Sequence, residues 1–229
     1  MYIEFIGASG AGKTTIVGEA VSVLNAEKIS CITRQTFFSP SQKRNYKIVW
    51  TISHLWRLDS RIASYLWKWA RAKSFTNTVL KAHEYIKLRQ VLSGLPATTV
   101  GLWDSGFVQL FSKLTVSGFI SKEVAFTLIQ KRVPKDCVLV FLDTSITEAM
   151  ERKRGRAREW GSLRAMNKLE TDMADEEIMK NTSAIQDMQK YMLKALEASQ
   201  TTVATLDGMV SPQENAGRLV QIIKKQIHG

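Results

Sequence analysis

A glycine-rich octapeptide near the amino terminus constrains this chain more than any other stretch. Residues 7–14 read Gly-Ala-Ser-Gly-Ala-Gly-Lys-Thr, which satisfies the full G-x-x-x-x-G-K-[ST] pattern. The octapeptide follows an apolar run at residues 2–6 and precedes a helical pattern at residues 15–21, the strand–loop–helix setting that the pattern requires. Glycines let backbone N–H groups approach an anion closely, and the following helix directs its positive dipole end at the same point. The octapeptide therefore predicts a phosphate-binding loop.

Two side chains of this loop carry the chemistry of a nucleotide site. Lys13 supplies a mobile positive charge for the β- and γ-phosphates, and the Thr14 hydroxyl is an oxygen ligand of the kind that Mg²⁺ accepts. The sequence therefore predicts a nucleotide site whose contacts come from Gly7, Ala8, Ser9, Gly10, Ala11, Gly12, Lys13, Thr14 and Thr15.

The length of the chain fits one α/β domain. At 229 residues it is long enough for a single well-buried domain over 1–229 with a helical insert. The first predicted strand begins at residue 2 and no run of about 18 apolar residues occurs, so we expect neither a leader nor a membrane span. Two cysteines and three histidines lack ligand-like spacing, which favours buried thiols in a cytoplasmic protein and no metal site built from them.

Apolar strand patterns alternate with helical patterns along the whole chain. This alternation predicts an α/β fold, a three-layer sandwich around a five-stranded parallel sheet. The predicted strands cover residues 2–6, 29–33, 98–103, 137–142 and 202–206.

Charged side chains follow three of these strands. Ligands of open parallel sheets bind beyond the carboxyl ends of the strands, so Arg34 is a candidate for gripping an acceptor, with an ordinary surface arginine as the alternative. Asp104 and Asp143 each end an apolar strand, where an acid could order Mg²⁺ or take a proton from the acceptor. We favour Asp104 because the flexible pair Ser105-Gly106 follows it. A helix N-cap is the alternative role for either acid.

A run of basic residues follows the fourth predicted strand and its helix. Residues 152–158 read Arg-Lys-Arg-Gly-Arg-Ala-Arg, and we expect residues 152–162 to form a lid over the nucleotide. Arginines stabilise the charge that spreads over a transferred phosphoryl group, which makes Arg154 and Arg156 catalytic candidates and Arg152 a nucleotide-binding candidate. The alternative is a solvated basic helix end, favoured by the helix dipole.

A basic, tryptophan-rich segment holds nearly all of the excess positive charge. Residues 34–89 carry twelve Lys/Arg against two acids, a net charge of +10 out of +11 for the whole chain. Residues 46–92 read as mostly helical. One interpretation is a helical substrate lid with an aromatic core. The others are a helix lying on anionic lipid and a surface for nucleic acid. Four of the six tryptophans lie here: Trp50, Trp56, Trp67 and Trp69.

The order of these parts resembles the thymidylate kinase and deoxynucleoside kinase group of P-loop kinases. The loop at residues 7–14 matches, and Ile32-Thr33-Arg34 is similar to the acceptor-side strand of that group. Arg154-Gly155-Arg156 resembles its lid. Leu206-Asp207-Gly208, followed by residues 211–214, resembles its last strand and helix.

The resemblance implies a sheet of strand order 2-3-1-4-5, Mg-ATP as the phosphate donor, and lid arginines on the phosphates. It also implies that the loop at Asp207 lies near the adenine, which makes Asp207 a nucleotide-binding candidate. The chain departs from the family at Asp104-Ser105-Gly106, where the family has an arginine directly after the acid. This departure widens the range of acceptors beyond nucleoside monophosphates.

The leading hypothesis is an ATP-dependent phosphotransferase that acts on a small acidic or polar acceptor: a nucleoside or nucleotide, a sugar, or a related metabolite. The alternatives are a nucleic-acid-binding ATPase or end-kinase and a membrane-surface ATPase, both using residues 34–89. The sequence is also compatible with a homodimer. The catalytic candidates are Lys13, Asp104, Arg154 and Arg156; Arg34 and Asp104 are assigned to the acceptor, and Thr14 and Asp104 to Mg²⁺.

Overall fold

The computed structural model describes residues 1–37, 51, 54, 63–64, 67, 75–134, 136–159 and 175–228. Most of the tryptophan-rich segment that precedes residue 75, and residues 160–162 of the expected lid, lie outside this description. So does the side chain of Arg156, although its backbone belongs to a helix. Trp67 is within it and exposes 62% of its surface.

Five parallel strands form one sheet in the order β2-β3-β1-β4-β5. β1 is central, and its register pairs Glu4 with Trp103 on one side and Ile6 with Phe141 on the other. The parallel three-layer fold and its strand order are therefore as expected from the sequence. The strands are β1 Tyr2–Ile6, β2 Cys31–Thr33, β3 Val100–Trp103, β4 Val138–Asp143 and β5 Thr202–Asp207.

Helices connect these strands and cover both faces of the sheet. Two of them begin at serines that the sequence predicts as helix caps. Ser145 Oγ accepts a hydrogen bond from the Glu148 N–H, and Ser211 Oγ accepts one from the Glu214 N–H, each at 3.2 Å. The helices of the described residues are α1 Lys13–Ala26, α2 Arg34–Phe37, α3 Phe75–Gly94, α4 Phe107–Val116, α5 Lys122–Arg132, α6 Ile146–Glu159, α7 Asp175–Ala198 and α8 Pro212–His228.

Successive side chains of β1 point to opposite faces of the sheet and contribute to two hydrophobic cores. Ile3 and Phe5 pack with α1 and α8 on one face, and Tyr2 and Ile6 pack with α3, α4, α5 and α7 on the other. Burial on both faces explains why the central strands read as nearly continuous apolar runs. Glu4 shares the face of Tyr2 and Ile6, where it is the one acid of β1 and is fully buried.

The two cysteines are free thiols. Cys137 is buried at the start of β4, and burial raises the pKa of its thiol to about 12. Among the helices that the structure describes, none has the length and apolar content needed to cross a bilayer. The described side chains also contain no group of three or more His, Cys, Asp or Glu residues that could hold a metal ion.

Glycine is sterically required where α4 meets β1. A Cβ added to Gly106 would overlap the carboxylate of Glu4. In the part of the chain that the structure describes, a Cβ added to Gly217 of α8 would meet nothing within 4 Å. A side chain at position 106 would therefore clash with its neighbours, whereas one at position 217 would not, so Gly217 serves as the control position for Gly106.

We expect Gly106→Ala to lower the free energy of unfolding by about 1–3 kcal/mol, the usual cost of overpacking a filled site. Gly217→Ala should raise it by up to about 1 kcal/mol, because alanine is the better helix former. Urea unfolding at constant pH measures both. A Gly106→Ala variant as stable as the unaltered protein would show that the contact between β1 and α4 is looser than described.

Candidate functional site

The phosphate loop joins β1 to α1 and is shaped by glycines. Gly7, Gly10 and Gly12 have φ values of +141°, +97° and +100°, a region that favours glycine. A Cβ on Gly10 would overlap the carbonyl oxygen of Ala149 in α6, so the loop packs directly on that helix. Gly12 precedes the first turn of α1 and no side chain caps that turn. The loop thus presents the N-terminal end of α1 as an anion cradle.

Lys13 lies across this loop. Its Nζ donates to the carbonyl oxygens of Gly7 at 2.8 Å and Ala8 at 2.7 Å, and the residue is only 8% exposed. These contacts hold the ammonium group against the backbone that forms the cradle. Lys13 is therefore placed with the phosphate loop rather than with either hydrophobic core.

Three predicted site residues from distant parts of the chain meet beside the loop. Thr14 Oγ1, in the first turn of α1, donates to Asp104 Oδ2 at 2.8 Å. Arg34 Nη1, at the start of α2, lies 3.6 Å from Asp104 Oδ1. β2 and β3 are neighbours in the sheet, so their carboxyl ends bring Arg34 and Asp104 together, as strand-end ligand residues do in such folds. We call Thr14, Arg34 and Asp104 the strand-end cluster.

The donor set of this cluster fits a hard divalent cation. Asp104 Oδ1 is buried and accepts no hydrogen bond from the described residues, and its charged neighbour is the Arg34 guanidinium at 3.6 Å. The Thr14 hydroxyl gives its proton to Asp104, which leaves its oxygen lone pairs for a ligand. Mg²⁺ binds through one or two such protein oxygens and takes the rest of its shell from phosphates and water.

Asp143, the alternative acid, is engaged elsewhere. Its Oδ1 lies 3.3 Å from Nζ of Lys190 in α7, and the same ammonium sits 5.4 Å from the centre of the Phe141 ring. The Asp143 carbonyl oxygen accepts from the Gly208 N–H at 2.7 Å. Asp143 therefore ties β4 to α7 and β5, whereas Asp104 contacts the phosphate-loop helix.

Arg152 joins three segments around the nucleotide-binding end of the sheet. Its Nε donates to Glu148 at 2.8 Å within α6. Its Nη1 donates to the carbonyl oxygens of Gly208 at 3.0 Å and Ala11 at 3.4 Å. The guanidinium thus connects α6, the β5–α8 turn and the phosphate loop. Arg154, two residues further along α6, is half-buried.

The predicted adenine-side loop is built by backbone contacts. Asp207 Oδ1 accepts from the Met209 N–H at 2.8 Å, and the Asp207 carbonyl accepts from Asn215 Nδ2 at 2.7 Å. The Asp207 carboxylate therefore closes its own turn, and the contact to the phosphate loop comes from Gly208 through Arg152. A Cβ on Gly208 would overlap the Thr144 hydroxyl, so this turn packs tightly on the end of β4.

Sequence reasoning assigned no role to Glu4, which the structure places in β1 against the start of α4. Its carboxylate accepts the backbone N–H groups of Phe107 and Val108 at 2.9 Å each and that of Gln109 at 3.3 Å. The Tyr2 hydroxyl donates to it at 3.4 Å. Glu4 thus fixes the start of α4, three residues after Asp104. The available signal was a single acid inside an otherwise apolar strand.

Two opposing effects act on the ionisation of Glu4. Burial disfavours the charged carboxylate, and the three backbone N–H groups favour it; burial dominates and raises the pKa of Glu4 to about 7 from 4.5. The neighbouring Tyr2 has its pKa raised, mainly by burial and then by the Glu4 charge. Glu4 therefore titrates near neutral pH in the buried contact between β1 and α4.

The fold is a five-stranded parallel α/β sheet whose central strand runs through a glycine-rich phosphate loop into α1. Comparisons with protein-family models and with curated proteins gave no match. Among solved structures, the chain is similar to the deoxyadenosine kinase of M. mycoides with the products dCMP and a flexible dCDP, at 11% identity and TM-score 0.55, over 98% of this chain and 99% of that one. The same enzyme with bound dATP gives 11% identity and TM-score 0.53, over 98% and 100%. These likenesses establish the fold.

The titration of Glu4 predicts a pH-dependent stability. Between about pH 4.5 and 7 the folded chain keeps a proton that the unfolded chain has lost, so the free energy of unfolding falls as pH rises. We expect the difference in this free energy between the unaltered protein and Glu4→Gln to fall by on the order of 3 kcal/mol across that window. Denaturant unfolding at several pH values measures it, and a difference that rises with pH would contradict the direction of the shift.

Proposed function

We propose that this protein is a P-loop phosphotransferase that moves the γ-phosphate of Mg-ATP to a small-molecule acceptor. The single observation that carries the proposal is the 2.8 Å hydrogen bond from Thr14 to Asp104 at the end of the phosphate loop. It joins the loop to a strand-end acid whose second oxygen lies 3.6 Å from the Arg34 guanidinium. This arrangement supports a metal-dependent nucleotide site.

The phosphate loop would bind and orient the donor. Its backbone N–H groups and the N-terminus of α1 favour the β- and γ-phosphates, and Lys13 is close enough to exchange its loop carbonyls for phosphate oxygens. Thr14 and Asp104 would hold Mg²⁺, which neutralises charge on the phosphates when bound. The proposal does not require a large rearrangement of β1, α1 or β3.

Arginines would complete the site from two sides. Arg152 fixes the phosphate loop against α6 and the β5–α8 turn, so in this proposal it positions the loop. Arg154 and Arg156 remain candidates for contacting the transferred phosphoryl group. Arg34 would meet the acceptor, since its side chain is 42% exposed and its guanidinium lies beside Asp104.

The acceptor is proposed as a nucleoside, a nucleotide, a sugar or a related metabolite. The solved structures of similar fold are named as deoxyadenosine kinase and hold deoxynucleotides, which makes deoxynucleosides the first acceptors to test. The nucleic-acid and membrane alternatives depend on residues 34–89, of which much lies outside the described part of the chain, and no described contact favours them.

Asp104→Asn should lower acceptor-stimulated ATP turnover by roughly 100-fold or more, because it weakens a metal ligand while nearly preserving shape. Affinity for ATP without metal should change little. Asp143→Asn is the matched control, since it makes the same substitution at the end of β4, on the other side of β1 and outside the strand-end cluster. ADP release against a panel of nucleosides, sugars and phosphorylated acceptors measures turnover, and calorimetry measures ATP binding.

Two results would contradict the proposal. One is an equal loss of turnover in Asp104→Asn and Asp143→Asn, which would remove the special position of Asp104. The other is ATP binding without stimulation by any acceptor of the panel, which would indicate a nucleotide-binding protein or an ATPase.

A further inference from the structure

A cavity of about 220 Å³ opens next to the strand-end cluster. One of its walls is a single face of α1, formed by Thr14, Val17, Gly18 and Val21. These positions are spaced i, i+3, i+4 and i+7, so they lie above one another on the helix. At about 1.5 Å per residue the wall runs about 10 Å away from Thr14. The cavity therefore begins at the phosphate loop and extends along α1.

Gly18 leaves this space open without a structural need to be glycine. It lies inside α1, where glycine is a poorer helix former than alanine. Its φ is not in the left-handed region, and a Cβ added to it would meet nothing within 4 Å in the described part of the chain. Gly18 is exposed, and neither backbone strain nor a close neighbour among the described residues requires glycine there. What its missing side chain provides is volume inside the cavity.

The remaining described walls divide the cavity into an apolar body and a polar end. The side chain of Leu102, fully buried in β3, lines it together with the valines of α1. Thr33 and Thr36 also line it, but their hydroxyls bond to each other at 3.2 Å and to each other's backbone N–H at 2.9 and 3.2 Å. Among these residues, charge is confined to the end formed by Arg34 and Asp104.

The volume indicates how large an occupant can be. A cavity of roughly 150 Å³ lined by aliphatic side chains holds benzene, and pockets for drug-sized ligands are usually about 300 Å³ or more. A space of about 220 Å³ therefore suits a group of about one six-membered ring. The described hydrogen-bonding groups that remain open, on Thr14, Arg34 and Asp104, all lie at the end of the cavity nearest the phosphate loop.

We propose that this cavity binds the acceptor as a hydroxyl compound with an apolar body of about one ring, its hydroxyl directed to Asp104 and its body along Gly18. This inference rests on the proposed function. In the transfer step the acceptor oxygen bonds to the γ-phosphorus, and the bond from that phosphorus to the β–γ bridging oxygen breaks. ADP leaves with the electron pair, and the hydroxyl proton is released to water. Gly18 then sets the size of acceptor that fits.

The direct test is ligand binding followed by NMR of the methyl groups that line the cavity. Benzyl alcohol, added to the full chain with Mg-ATP analogue bound, should shift the methyl signals of Val17, Val21 and Leu102. Xylitol, a polar alcohol without an apolar body, should not. In Gly18→Leu the added side chain fills the cavity, so affinity for benzyl alcohol should fall about tenfold or more. Gly18→Ala should retain affinity within about threefold.

Gly217→Leu is the matched control, because it places the same side chain on α8 away from the cavity. It should leave the binding of benzyl alcohol unchanged. The turnover that benzyl alcohol stimulates should follow the same order, with Gly18→Leu lowest.

Three outcomes would overturn the inference: no methyl shift with benzyl alcohol, equal shifts in Gly18→Leu, or shifts given by deoxyadenosine and not by benzyl alcohol. All three can be read on the unaltered protein or on a variant whose folding is checked by its other methyl signals. Loss of binding of the Mg-ATP analogue itself would instead contradict the proposed function. The two failures are therefore distinguishable.

Discussion

The central position of β1 between β3 and β4 determines the geometry of the site. Hydrogen bonding on both sides of β1 fixes its register, so the phosphate loop leaves the sheet between two strands that each end in an acid. The first turn of α1 then approaches only one of them, Asp104. Asp143, on the other side, is paired with Lys190 of α7. Two acids that look alike in the sequence thus have different surroundings because α1 and α7 cover opposite faces.

Much of this could be predicted because it depends on local pattern and on strand ends. The phosphate loop, the parallel sheet and its strand order follow from motif, alternation and family resemblance. The meeting of Arg34 and Asp104 follows from the general placement of ligands at the carboxyl ends of parallel strands. These features depend either on residues close together in the sequence or on the order of the strands. Predicting them does not require knowledge of individual side-chain contacts.

What could not be predicted depends on which backbone groups a side chain meets. Arg152 was expected to contact the nucleotide, but it also donates to the carbonyl oxygens of Ala11 and Gly208. The Asp207 carboxylate was assigned to the nucleotide, yet it accepts from the Met209 N–H in its own turn. Glu4 has no role assigned from the sequence, although its carboxylate accepts hydrogen bonds from three N–H groups more than 100 residues away. The hydrophobic periodicity of a sequence does not indicate which side chain will bond to which backbone group.

The contact of Glu4 with Gly106 has a consequence for how this sequence can vary over time. The Glu4 carboxylate and the Tyr2 hydroxyl occupy the space that any side chain at position 106 would need, so the cost of a larger residue there depends on the residue at position 4. The two positions therefore form an epistatic pair, whose members lie on opposite sides of the phosphate loop in the sequence. A change in the β3–α4 loop at position 106 is thus coupled to the interior of the first strand.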